Sequence, residues 1–193
     1  MTRFPGTLVA ASAGAVLLAC AIAIARPDPP APDAPQFTPD HRLLRPDHYR
    51  EWIYLSSGLG MSYSADMNME PQFDNVFVNP SAYRSFVASG TWPDHTILVL
   101  EVRSSESKGS INRAGHFQGN FEAIEVHVKD SVLPGKWAFF DFSKSPQSAK
   151  AIAQTADCYG CHQEHGAVDT TFVQFYPTLL DIARSKGTLR PSY

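Results

Sequence analysis

The stretch TILVLEV, residues 96–102, decides the fold class. Its aliphatic and β-branched side chains run without a glycine or proline, which predicts a β-strand. Residues 115–130, GHFQGNFEAIEVHVKD, alternate between apolar and polar residues over their second half. The apolar positions are Ile124, Val126 and Val128, and the polar positions are Glu125, His127 and Lys129. This period of two predicts a strand with one face on a core, and we expect His127 to lie on the solvent face.

The elements predicted around these two segments place strands in the middle of the chain and helices towards both ends. Further strands are predicted at 73–78 and 137–142. Helices are predicted after Asp47, from an Asn79 cap through Pro80 to Gly90, over residues 146–157, and from Pro177. Strands that follow one another and helices that sit at the ends indicate an α+β fold with a mainly antiparallel β-sheet and flanking helices.

Residues 158–162 read Cys158-Tyr159-Gly160-Cys161-His162, which is a C-x-x-C-H motif. This spacing is the attachment motif for haem c. Two thiols on one turn can each bond one vinyl group of the porphyrin, and the next imidazole can ligate the iron. We therefore predict Cys158 and Cys161 as the covalent anchors of one haem c and His162 as a ligand of its iron.

Two other kinds of site use a close pair of cysteines. A thioredoxin-like C-x-x-C belongs to a βαβ unit, which the pattern near residue 158 does not predict. A zinc site needs further ligands, which His162 and His165 could supply. Haem c is attached outside the cytoplasm, so a signal for export favours the haem interpretation.

Residues 1–25 have the pattern of a secretion signal. Arg3 precedes a long apolar run, and Ala23-Ile24-Ala25 is a small-x-small cleavage site. An uncleaved membrane anchor and a lipoprotein attached at Cys20 are the alternatives. We therefore expect a periplasmic protein, with a membrane-anchored form if the signal is not cleaved.

The remainder of the chain is predicted to hold one domain. Residues 26–42 are rich in proline and are predicted to form an extended linker, whereas residues 43–193 are predicted to form a single monohaem domain. After loss of Cys20, only the two cysteines of the motif remain, which is too few for a disulfide framework. The formal net charge is −3 and the sequence has no basic run, which argues against a nucleic-acid partner.

The sequence resembles the cytochrome P-460 family, which includes the cytochromes c′-beta. The matching stretches follow one another in order as Tyr49–Trp52, Val76–Pro80 with Tyr83, Asp94–Val102, Gly119–Asp130, Trp137–Phe139, Cys158–His162 and Phe172–Leu179. The resemblance implies a periplasmic and often dimeric protein with a mainly antiparallel sheet. It also implies one haem c packed against that sheet, with His162 bound to the iron.

The sequence departs from the hydroxylamine-oxidising members of that family at two positions. Those members carry a lysine bonded covalently to the haem edge, and the matching position here is Leu100. An arginine that they carry in the preceding strand falls near Asp74. The chain therefore resembles the branch without the cross-link, in which the c′-beta proteins bind nitric oxide in an apolar pocket.

The pocket over the iron is expected to be apolar. We predict that Leu98 and Leu100 form its wall and that Phe77, or Phe73, lies nearby. Bound dioxygen gains charge and favours a hydrogen-bond donor, whereas nitric oxide binds ferrous haem without one, so an apolar wall favours nitric oxide. Glu125 would act as an acid–base group only if its face of the strand turned towards the haem.

Three functions are consistent with these features. The leading expectation is haem-iron redox chemistry with nitric oxide binding or detoxification, in a homodimer served by a periplasmic redox partner. The second is electron transfer with Met61 as the sixth iron ligand, because a thioether ligand raises the reduction potential. The third is an oxidoreductase that oxidises hydroxylamine or a similar small nitrogen compound.

Overall fold

The computed structural model describes residue 1, residues 31–61 and residues 70–193. The predicted signal beyond Met1, and residues 26–30 of the predicted linker, lie outside the described residues. Within the described ranges, every helix is too short or too polar to cross a bilayer.

A five-stranded antiparallel sheet lies at the centre of the fold, and its strands are neighbours in chain order. In chain order the elements are β1 (Leu43–Leu44), β2 (Ile53–Leu59), β3 (Gln72–Val78), α1 (Pro80–Ser89), β4 (Thr96–Glu106), β5 (Phe117–Lys129), β6 (Trp137–Asp141), β7 (Ser148–Ala149), α2 (Asp157–His165) and α3 (Pro177–Lys186). Strands β2 to β6 form the large sheet, and β1 pairs with β7 in a separate two-stranded sheet. The predicted α+β class is confirmed.

The large sheet is covered on both of its faces. One face packs a cluster that includes Leu43, Ile97, Val99, Ile124, Val126, Val128 and Phe140. The other packs a cluster that includes Val78, Phe86, Trp92, Leu98, Tyr176 and Leu179, which brings α1 and α3 onto the sheet. Burial on both faces explains why residues 96–102 are almost continuously apolar instead of alternating.

Helix α1 has the predicted ends, but Asn79 does not cap it: another residue accepts the backbone N–H of its first turn. Gly90 closes the helix at a φ of 77°, a left-handed conformation that favours glycine. The Asn79 side chain accepts the backbone N–H of Ile97 at 2.8 Å instead of capping the helix. Asp33 supplies the cap instead, because its Oδ2 accepts the backbone N–H of Ser81 at 2.7 Å.

Residues 31–42, which the sequence assigns to the linker, are attached to the domain in the structure. Phe37 forms a β-bridge with Leu43 and packs its ring 6.2 Å from that of Phe140. The Arg42 guanidinium donates to the carbonyl of Ser148 at 2.7 Å. This segment therefore extends the edge of the fold next to β1 and β7.

The helix predicted over residues 146–157 is wrong. Ser148 and Ala149 form β7 and pair with Leu44 and Leu43, and the helix α2 begins only at Asp157. Pairing with β1 provides backbone hydrogen bonds that the local preference of alanine for helix does not outweigh.

The fully buried ring of Phe86 is expected to be a main source of stability on the helical side of the sheet. It lies 4.2 Å from the Trp92 ring, between centroids. Phe86→Ala is expected to lower the free energy of unfolding by about 3–5 kcal/mol, because it leaves a cavity in the core. Val87→Ala, at the exposed neighbouring position of α1, is the control and is expected to change it by less than about 0.5 kcal/mol. Equal losses in chemical denaturation would contradict the packing described here.

Candidate functional site

Helix α2 presents the three residues of the C-x-x-C-H motif on one side. Cys158, Cys161 and His162 occupy positions i, i+3 and i+4 of this helix, which are neighbours on a helical surface. Both cysteines are partly buried and neither forms a disulfide. Within the described part of the chain, these three side chains and His165 do not converge as a metal-binding group. The two thiols therefore lie on one turn, as the haem interpretation of the motif requires.

The imidazole of His162 has a defined tautomer. Its Nδ1 lies 2.7 Å from the carbonyl oxygen of Thr170. Since a carbonyl only accepts, Nδ1 carries the proton and Nε2 keeps a free lone pair for a metal. Burial lowers the pKa of His162, and the bond to Thr170 opposes that shift. The loop after α2 therefore orients the His162 imidazole and leaves its Nε2 able to accept a bond.

Tyr159 fixes α2 to the edge of the sheet. Its hydroxyl donates to the carbonyl of Ile152 at 3.0 Å and accepts the backbone N–H of Phe139 at 3.2 Å. The sequence predicts only that residues 159 and 160 permit a tight turn. The sequence could not predict this role of Tyr159, because both of its hydrogen-bond partners are backbone groups, which leave no trace in the residue types.

A cleft lies between α2, the residues after it and the large sheet. It consists of one cavity of about 120 Å³ and an adjoining one of about 280 Å³. Both cavities are lined by Val76, Leu100, Glu125, His162, Phe172 and Tyr176. Together they fall within the roughly 300–1,000 Å³ that is typical of small-molecule sites.

Leu98 and Leu100 of β4 line this cleft, as the sequence predicts. Leu98 lies opposite His127 on β5, and Leu100 lies opposite Glu125. Side chains at alternate positions of a strand share a face. The face of β5 that carries its polar residues is therefore the face that looks into the cleft.

Phe77 does not line the cleft, contrary to expectation. It pairs with Val99 across β3 and β4, and its ring packs against those of Tyr49 and Tyr54. Val99 belongs to the cluster on the opposite face of the sheet. The β3 residue that accompanies Leu100 in the cleft is Val76, one position earlier, and Phe73 shares the face of Phe77 by the same alternation.

The prediction that His127 faces solvent is wrong. Its residue surface is 6% exposed, and its ring stacks on Phe139 at 3.9 Å between centroids. The His127 ring also meets His162 edge-on at 5.1 Å. Burial lowers the pKa of His127 well below its usual range, and the neighbouring His162 adds to that shift. The alternation along β5 is predicted correctly, but α2 and the loop after it cover the polar face.

Two carboxyl groups make the cleft less apolar than expected. Asp74 and Glu125 both line its larger cavity. Burial, together with the negative charge of Glu125, raises the pKa of Asp74 to about 6. Burial and the charge of Asp141, its cross-strand partner, raise the pKa of Glu125. The sheet therefore provides proton-holding groups in the same cleft as His162.

Met61 lies at the margin of the same cleft. It lines the larger cavity together with Leu100 and His162, and its residue surface is 41% exposed. Its role as an iron ligand stays a prediction.

Lysine does not appear in the cleft wall among the described residues. Lys129 is on the same face of β5 as Glu125, but its ammonium group donates to the carbonyl of Trp92 at 2.8 Å and to Asp169 at 2.9 Å. These two bonds hold the Lys129 side chain at the end of β5, outside the cleft. Leu100 lies in the cleft wall instead.

Comparison with known proteins gives the family. The family model for cytochrome P-460 matches residues 46–173, which is well over half of the chain. The chain belongs to the cytochrome P-460 family. No curated protein matches it. Family membership implies a haem cofactor, and the residues fit that group: a neutral imidazole with a free Nε2, two unbridged thiols on the same side of α2 and a mainly apolar cleft.

The two motif thiols are predicted to attach the haem that family membership implies. In Cys158→Ala/Cys161→Ala, haem is expected to be lost on denaturation, because no thioether bond remains. Cys20→Ala, in the predicted signal, is the control and is expected to keep its haem. Intact mass and haem staining after denaturing electrophoresis measure the outcome. Haem that stays bound to the double variant would contradict the assignment.

The raised pKa of Asp74 predicts a pH dependence of stability. The folded protein holds this proton more tightly than the unfolded chain, so stability is present at low pH and is lost as pH rises from about 4 to about 6. Asp74→Asn is expected to remove roughly 1–2 kcal/mol of that dependence, allowing for the solvent that reaches the group. Denaturation of the cytochrome from pH 4 to pH 7.5 tests this, with the exposed Asp47→Asn as control. An unchanged slope in Asp74→Asn would contradict it.

Proposed function

We propose that this protein is an exported monohaem c-type cytochrome whose iron binds nitric oxide. In this proposal Cys158 and Cys161 bond the haem, and His162 ligates its iron through Nε2. The observation that carries the proposal is the placement of Leu98 and Leu100 in the cleft that His162 lines, with Leu100 at the position that matches the cross-linking lysine of the hydroxylamine-oxidising members.

The haem, when bound, supplies an iron that takes up a small ligand and changes oxidation state. The side chains of the cleft determine which ligand is favoured. Leu98 and Leu100 exclude water and offer no hydrogen-bond donor. A neutral ligand such as nitric oxide does not need a donor, whereas dioxygen does. The hydrogen bond from His162 to Thr170 holds the imidazole in the ligating orientation.

A second candidate is the oxidation of hydroxylamine or a related small nitrogen compound. Glu125 and Asp74 favour it, because both carboxyl groups line the cleft and both have a raised pKa. Groups of this kind can take up protons that a substrate releases. In this candidate function Glu125 is the acid–base residue, and the reaction proceeds without a lysine bonded to the haem.

A third candidate, an electron carrier, depends on Met61. Its thioether lies at the margin of the cleft that His162 lines, so ligation by Met61 would close the site to other ligands. Met61→Ala would then open a position on the iron and convert the reduced spectrum from low spin to high spin.

Ligand binding by the reduced protein tests the proposal directly. The reduced wild type is expected to be high spin and to bind nitric oxide, with no mass link between haem and a lysine peptide. Leu100→Gln places a donor in the wall and is expected to raise the affinity for dioxygen roughly 10- to 100-fold, the value of a hydrogen bond to a charged group. Leu59→Gln, at an exposed position of β2, is the control.

The alternatives give different results in the same measurements. A low-spin reduced form that binds nitric oxide only after Met61 is replaced would support the electron carrier. Turnover of hydroxylamine that disappears in Glu125→Gln would support the enzyme. Either result would overturn nitric oxide binding as the leading function, while the assignment of the haem ligands would stand.

A further inference from the structure

A second group of potential ligands lies outside the cleft, at the turn that precedes β4. Asp94, His95 and Asp130 bring two carboxylate oxygens and one imidazole nitrogen within 4.8 Å of one another. His95 Nε2 is 3.9 Å from Asp94 Oδ2 and 3.8 Å from Asp130 Oδ2. No second group of three such residues occurs in the part of the chain that the structure describes.

Backbone groups hold both carboxylates in place. Asp94 Oδ1 accepts the N–H of Ser131 at 2.7 Å, and Asp130 Oδ1 accepts the N–H of Val132 at 3.1 Å. The second oxygen of each carboxylate is left on the side of His95. The carboxylate donors are therefore positioned before any ligand arrives, which lowers the cost of binding one.

Asp130 distinguishes this group from an ordinary cluster of surface charges. Its side chain is only 8% exposed, and its Oδ2 accepts no hydrogen bond from the described residues. The 3.8 Å that separates this oxygen from His95 Nε2 is too long for a hydrogen bond. Asp130 is therefore a mostly buried carboxylate, and a cation between it and His95 would offset the cost of holding its charge largely away from water.

We propose that Asp94, His95 and Asp130 bind one divalent first-row transition-metal ion of the zinc class, separate from the haem. An imidazole with carboxylates is a donor set that Zn²⁺ accepts, whereas Mg²⁺ and Ca²⁺ favour oxygen donors alone. Donors bound to Zn²⁺ lie roughly 3–3.5 Å from one another, given bonds of about 2.0–2.2 Å. The two imidazole–carboxylate distances, 3.9 and 3.8 Å, exceed that spacing by roughly half an ångström. Because the three donor atoms lie within 4.8 Å of one another, an ion would draw the half-exposed side chains of His95 and Asp94 inward, with water in the remaining positions.

The ion would join two separate parts of the chain. Asp94 and His95 precede β4, and Asp130 directly follows β5. These two strands pair from Thr96 and Lys129 onwards. A bound ion would therefore tie the entrance of β4 to the turn after β5, and it should raise the thermal stability of the folded protein.

His95→Gly is the decisive variant. His95 has a φ of 64°, a left-handed conformation that glycine adopts without strain. The substitution therefore removes the imidazole while the backbone keeps its preferred shape. His41→Gly is a matched control, because His41 is also exposed, has a φ of 59° and lies outside the group.

The experiment uses the untagged, haem-loaded protein after treatment with a chelator. Calorimetric titration with ZnCl₂ is expected to give one ion per chain in the wild type and in His41→Gly. The affinity is expected to fall at least tenfold in His95→Gly. Zinc should raise the midpoint of thermal unfolding of the wild type but not of His95→Gly. The haem absorption spectrum should stay unchanged throughout, which separates this site from the cleft.

Two results would overturn the proposal. One is a wild type without saturable zinc binding, and the other is equal affinity in the wild type and His95→Gly. Asp130→Asn, which is expected to weaken binding as well, also alters the bond to Val132, so His95→Gly decides the outcome. Neither result bears on nitric oxide binding at the haem, because none of the three residues lines the cleft.

Discussion

The hydrogen bond from His162 Nδ1 to the carbonyl of Thr170 is the interaction on which the candidate site depends. It selects the tautomer that leaves Nε2 free, and it fixes the imidazole relative to the loop after α2. Thr171, the next residue in that loop, is itself held by Trp92, whose indole N–H donates to the threonine hydroxyl at 2.8 Å. Because Trp92 belongs to the core beneath α1, the orientation of the His162 imidazole is tied to the packing of the domain.

The sheet contributes to the site through the alternation of its strands. One face packs entirely against its own cluster of core residues, and the other face is divided between packing and the cleft. Leucines on β4 and carboxyl groups on β3 and β5 meet in that cleft. The site therefore combines an apolar wall with groups that can hold protons, and both follow from the alternation of side chains along the strands.

The sequence predicts the parts of this arrangement that are local. Strands β3 to β6, the ends of α1 and the spacing of Cys158, Cys161 and His162 follow from short-range patterns, whereas β2 is not predicted. For Phe77 and His127 the sequence predicts the wrong environments, and the reasons are related. Alternation tells which residues share a face, but only the three-dimensional fold tells which face is covered and by what. The Thr170 and Tyr159 contacts could not be predicted, because they join a side chain to backbone groups 7 to 20 residues away.

A crystal structure of the protein from a host that matures c-type cytochromes tests the central claim most directly. The account predicts continuous electron density from the sulfurs of Cys158 and Cys161 to one porphyrin, with His162 Nε2 on the iron and Leu100 in the wall of the haem pocket. A porphyrin on the Ile97–Val99 face of the sheet, or an iron bound by a residue other than His162 on the α2 side, would contradict it.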